Sequence, residues 1–123
     1  MYTLDTNAVI YFLSGETVAV ALIAKAQRQG EIIYVPTVVR LELLSKPDIT
    51  QEEHTVITSF LDVCRYVHLD TAIADIAADI RRLYQLKTPD SIIAASALYT
   101  GTALVTRNTK DFARVKGMRV LKV

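Results

Sequence analysis

The sequence predicts an α/β fold of three layers, with helices on both faces of a central, mainly parallel, five-stranded sheet. Three observations carry that expectation. Short runs rich in Val, Ile and Tyr alternate with longer helical segments, and strands separated by helices join through crossovers as parallel neighbours. Residues 32–35 (IIYV) and 103–105 (ALV) are apolar or aromatic without a break, as strands buried on both faces are. Gly, Pro and Thr stand where helices are expected to begin and end.

Residues 1–5 (MYTLD) are the first strand, and 7–13 (NAVIYFL) a short helix behind it. Residues 16–30 form a helix closed by Gly30, the residue type that most readily ends one. Residues 31–36 (EIIYVP) are a strand halted by Pro36, and 37–45 (TVVRLELLS) the next helix. Thr50 opens a helix over 50–63 with Glu53 as its capping-box partner. Residues 65–70 (RYVHLD) are the third strand, followed by a long amphipathic helix over 71–86. The helix over 88–101 takes Thr88 as cap, Pro89 as first residue and Gly101 as end. Residues 102–108 (TALVTRN) are the fourth strand, 109–115 (TKDFARV) a helical turn, and 118–123 (MRVLKV) the last strand.

The 123 residues, 51% hydrophobic and 22% charged, suit one domain over 1–123 that needs no disulfide for stability. Cys64, the one cysteine, sits in an apolar stretch and reads as an inert thiol. No apolar run reaches the roughly 20 residues that span a bilayer, and no signal segment precedes the first strand, so the cytoplasm is the expected compartment. Net charge is only +1, but residues 107–123 carry six basic side chains against Asp111. A basic rim facing phosphates is one use of that asymmetry, and a solvated charged tail is the other.

In a parallel α/β sheet, ligands bind beyond the carboxyl ends of the strands. The stretch LDTN puts Asp5 at such an end. Glu42, at about 100° per residue, falls among Val38, Val39 and Leu41 and nearly opposite Arg40. That face points it inward, where a carboxylate needs a partner or a metal. Asp90 lies in the first turn of an apolar helix, where an acid also suits the helix dipole. Asp111 follows a strand end closely, either as a further acid of the site or as the capping partner of Asn108. Gathered on one edge, such acids repel one another unless a cation offsets them. All-oxygen donors without His or Cys select Mg²⁺ or Mn²⁺, ions that activate water for attack on a phosphodiester.

The segments LDTN, VVRLELL, TPDSIIAA and LVTRNTKDF, in that order across the chain, resemble the four motifs of PIN domains. The likeness is closest to VapC-type toxins of toxin–antitoxin pairs. The resemblance implies metal-binding, catalytic acids at Asp5, Glu42 and Asp90. Asn108 stands where an acid is often found, so Asp111 either supplies the fourth carboxylate or leaves a three-acid site. Thr6, Asn7, Thr106 and Asn108 become the groups that support these ligands. The resemblance also implies a homodimer, cleavage of single-stranded RNA and inhibition by a cognate antitoxin. Arg107, Lys110 and Arg114 are the expected RNA contacts, with Arg107 nearest the acids.

Two other classes fit less well. An aspartyl-nucleophile phosphatase wants a second Asp two residues after the first, and here that residue is Asn7. A non-catalytic interaction module has no use for an inward Glu42. His54, His68, the six tyrosines, Arg81 and Arg82 read as packing or surface residues.

Overall fold

The computed structural model describes residues 1–123. Five strands, β1 (Tyr2–Leu4), β2 (Ile33–Pro36), β3 (Arg65–Val67), β4 (Ala103–Thr106) and β5 (Val120–Lys122), pair in the order β3-β2-β1-β4-β5. Every pairing is parallel. The helices are α1 (Thr6–Leu13), α2 (Thr17–Arg28), α3 (Thr37–Leu44), α4 (Gln51–Leu61), α5 (Thr71–Tyr84), α6 (Thr88–Thr100) and α7 (Thr109–Phe112). They complete the three-layer α/β/α arrangement, and the expected sheet is wholly rather than mainly parallel.

The chain leaves β1 toward β2 on one side and leaves β4 toward β5 on the other. The direction of winding therefore reverses between β1 and β4, which are direct neighbours. That reversal opens a crevice at the strands' carboxyl ends. Asp5 follows β1 into it, and Thr106 closes β4 beside it.

Helix α6 packs on β1, β2 and β4 and lies along α5. Residues 91–97 are all buried, so its Ala- and Ile-rich turns meet protein on every side. Leu4, Val9, Ile23, Val35, Val39, Leu61, Ile73, Ile93, Leu104 and Phe112 fill the core on both faces of the sheet. Burial of this kind, at about 25 cal/mol per Å² of apolar surface, is what holds short strands and short helices together.

Several expected boundaries shift. The third strand stops at Val67, because Asp70 turns out of the run and caps α5, its Oδ1 accepting the Ile73 N–H at 2.9 Å. Thr88 is not the cap of α6. The Ser91 N–H reaches back to the Lys87 carbonyl at 2.9 Å, which makes Lys87 the cap and places Pro89 second in the helix. A proline is tolerated there because the first-turn N–H groups have no intrahelical acceptor. Thr50 and Glu53 form both halves of their capping box, and Gly101 ends α6 at φ +68°. No single helix is long and apolar enough to cross a membrane.

Candidate active site

Asp5 is 6% exposed and is held from three directions. Its N–H donates to the Val105 carbonyl at 3.3 Å, which stitches it to β4. Its Oδ1 accepts the Ala8 N–H at 2.8 Å as the cap of α1, and its Oδ2 accepts the Thr106 hydroxyl. Thr106 is fully buried, and its Oγ1 also accepts the Asn108 N–H at 3.0 Å. Burial pushes the Asp5 carboxyl above its ordinary range. The hydrogen bonds from Thr106 and Ala8 act against that shift, while the negative fields of Asp90 and Glu42 add to it.

Asp90 is partly buried in the first turn of α6. Desolvation raises its carboxyl too, followed by the field of Glu42. Lys87 opposes the rise and Asp111 adds to it. Asp5, Glu42 and Asp90 are therefore within electrostatic reach of one another, and Asp111 is within reach of Asp90. As they stand, no three of the chain's His, Cys, Asp and Glu side chains close around a common point.

Glu42 corrects the sequence expectation. It is exposed, not inward, and its Oε1 accepts the Thr6 hydroxyl at 2.6 Å. Helix α3 buries Val39 and Leu43, one turn apart, while Leu41 is 65% exposed. Glu42 flanks that narrow stripe rather than sitting in it, because Leu41, apolar by type, faces solvent and is no part of the buried face. The carboxylate that is buried is Asp5. Thr6, the residue following Asp5, thus ties Glu42 to the end of β1, whereas Asn7 lies exposed.

Asp111 is partly buried, and its Oδ2 accepts the Asn108 Nδ2–H at 3.1 Å. Asn108 precedes α7 without a side-chain bond to the backbone of that turn. The pair is thus joined side chain to side chain, not as a capping box.

The basic residues divide. The Arg107 guanidinium donates from Nε to the Val123 carbonyl at 2.9 Å and pairs with Glu16 at 3.3 Å. It also stacks 3.6 Å from the centre of the Tyr11 ring. Arg114 donates to the Tyr84 carbonyl at 2.9 Å. Lys110 is exposed and enters none of the chain's ion pairs. Sequence reasoning passed over Lys87, Tyr11 and Glu16. Lys87, three residues before Asp90, carried a usable signal; the other two are legible only once α1 and β4 are seen to meet. Burial pushes the Cys64 thiol up to about 12, as expected of an inert group. His54 and His68 join no metal-binding cluster. Beside Glu42, a groove between α1, α3 and α4 is lined by Ile10, Leu13, Leu43, Val56 and Ile57.

Comparison with known families matches residues 2–118 to the PIN domain. The chain belongs to the PIN domain family. Among relatives of this PIN chain, Ribonuclease VapC19 of Mycobacterium tuberculosis H37Rv is 28% identical, covering 91% of this chain and 92% of that protein. A toxin-antitoxin complex from Klebsiella pneumoniae holds a chain that is 27% identical. That match has a TM-score of 0.79 and covers 98% of this chain and 96% of that one. VapBC2 from Rickettsia felis, bound to a DNA fragment from their promoter, superposes with a TM-score of 0.86 at 19% identity, covering 99% and 98%. The family resemblance carried by the four PIN motifs is borne out.

Proposed function

We propose that this PIN-domain chain is a Mg²⁺- or Mn²⁺-dependent endoribonuclease that hydrolyses RNA phosphodiester bonds, and the toxin of a toxin–antitoxin pair in the cytoplasm. The observation that carries the reading is the position of Asp5 at the end of β1, buried and held by Thr106 of β4. Asp90 and Glu42 lie near enough to act on it, and Asp111 near enough to act on Asp90. A relative named as a ribonuclease and a neighbour named as a toxin-antitoxin complex support it.

The donor set suits a hard divalent cation. It offers carboxylate oxygens and neither imidazole nor thiolate. Each Asp5 oxygen accepts one hydrogen bond, which leaves it lone-pair capacity for an ion. Asp5, Glu42, Asp90 and Asp111 are the residues to hold that ion. When bound, the cation supplies water activation and stabilisation of phosphoryl charge. The protein's share is positioning. Thr106 fixes the Asp5 rotamer, Thr6 fixes Glu42, and Asn108 fixes Asp111. Lys87 keeps one positive charge beside Asp90, while Lys110 and Arg114 provide phosphate contacts along the rim.

The same reading takes a homodimer as the working form and an antitoxin as inhibitor. The apolar groove beside Glu42 is rimmed by Glu52 and by the Lys46–Glu53 ion pair, which suits an amphipathic segment.

The test is cleavage of a labelled single-stranded RNA by purified protein, with Mn²⁺ or Mg²⁺ and with EDTA. Asp90→Asn is expected to lose at least 100-fold in rate while circular dichroism stays native. Cleavage undiminished in EDTA, or a wild-type rate in Asp90→Asn, overturns the reading.

A further inference from the structure

Arg107 stands between the two residues that link the end of β4 to the acids. On one side Thr106 holds Asp5, and on the other Asn108 holds Asp111. Regular structure ends at Thr106 and resumes at Thr109, and Asn108 has the irregular backbone pair φ −84°, ψ 62°. Side-chain contacts must therefore fix this two-residue link.

Arg107 makes three of them. Its Nε–H donates to the Val123 carbonyl at 2.9 Å, while the Val123 N–H donates to the Thr106 carbonyl at 3.2 Å. Val123 is thus held through both its backbone N–H and its backbone C=O. A second guanidinium nitrogen pairs with Glu16, the cap residue of α2. The guanidinium plane lies over Tyr11 of α1, a stack that a planar cation makes well and an ammonium makes poorly. The Arg107 side chain is 42% exposed, but its nitrogens are engaged by Glu16 and the Val123 carbonyl and its carbon centre sits over the Tyr11 ring, a disposition that commits the group to intramolecular contacts.

We infer that Arg107 is a positioning residue, whose guanidinium clasps α1 and the start of α2 to the β4 end and so holds Thr106 against Asp5 and Asn108 against Asp111. The consequence for catalysis rests on the nuclease reading above; the clasp itself does not. Chemistry of this kind is sensitive to placement, since a displacement of about 1 Å costs about 10²-fold in rate.

Three variants test it, Arg107→Lys, Arg107→Gln and Glu16→Gln, each measured by RNA cleavage kinetics and by amide hydrogen exchange of the intact chain. In Arg107→Lys, kcat per folded molecule is expected to fall about 10- to 100-fold, with KM and the salt dependence of RNA binding unchanged. The Asn108 amide, which donates to Thr106 Oγ1, is expected to exchange at least about tenfold faster as that link opens. Glu16→Gln should shift both readouts in the same direction by less. If Arg107→Lys keeps kcat while Arg107→Gln raises KM and lowers the salt slope by about 1, the residue is a phosphate contact and the inference fails. A lowered melting temperature with unchanged kcat and unchanged Asn108 exchange makes it a mere stabiliser, and also overturns it. Should the wild-type chain cleave no RNA, the nuclease reading falls. The exchange measurement then decides the clasp alone, and unchanged Asn108 protection in Arg107→Lys refutes it.

Discussion

A carboxylate that is 6% exposed and faces other acids is costly when charged. Asp5 is that residue, and its behaviour with pH follows from the direction of its shift. Its folded-state pKa lies above the ordinary 3.8, so the folded chain holds this proton more tightly than the unfolded chain does. Below 3.8 both states keep the proton and the charge costs nothing. As pH rises through the ordinary value and then through the raised one, stability is lost. In EDTA, Asp5→Asn is therefore expected to melt above wild type at pH 7, with the gap closing in acid. Asparagine can still accept the Ala8 N–H, and its amide can donate to Thr106. A variant that melts below wild type at pH 7 would show that the charged hydrogen bonds outweigh the desolvation cost. Asp5 was legible from LDTN as an acid at a strand's carboxyl end, but its burial was not. Depth depends on β1 being the central strand, and the order of strands is written in no local pattern. Glu42 shows the converse. Its place on α3 was legible, but the side it takes was not, because Leu41, an apolar residue, faces solvent.

Among the elements, helix starts and stops were the best legible, because caps are short-range chemistry. Thr50 with Glu53 and Gly101 behave as their types dictate. Pairing of distant strands was legible only as a class, parallel. Strand lengths were overestimated, since polar residues beyond the apolar run, such as His68 and Asp70, belong to the turn that starts α5. One terminus goes against residue preference: α5 ends on Gln85 at φ +57°, the chain's only non-glycine residue with positive φ. A side chain there costs about 1–2 kcal/mol relative to an unstrained backbone. Gln85→Gly is expected to recover about 0.5–1 kcal/mol after the extra entropy of the unfolded glycine is subtracted. Calorimetry should show a rise in melting temperature of about 2–5 °C. No rise would mean that contacts of the Gln85 side chain offset the strain.

At the scale of the whole molecule, the reversal between β1 and β4 places acids from opposite ends of the sequence at one crevice. A cation bound there only in the folded state adds about 2.7 kcal/mol at a hundredfold excess over its Kd. For a chain of this size that is a melting shift of several degrees. Millimolar Mn²⁺ should raise the melting temperature of wild type and leave Asp5→Asn nearly unmoved; equal responses in the two proteins would place the ion elsewhere. The same closeness of β1 and β4 has a consequence in time. Asp5 is made among the first residues, yet the hydroxyl that holds it is 101 positions further along. At about 5–20 residues per second of synthesis, roughly 5–20 s separate the two. Throughout that interval the central strand lacks one neighbour and Asp5 lacks its Thr106 partner. A ribosome that stalls before Thr106 thus holds a chain in which Asp5 has no hydroxyl to steady it and the crevice between β1 and β4 has not yet formed.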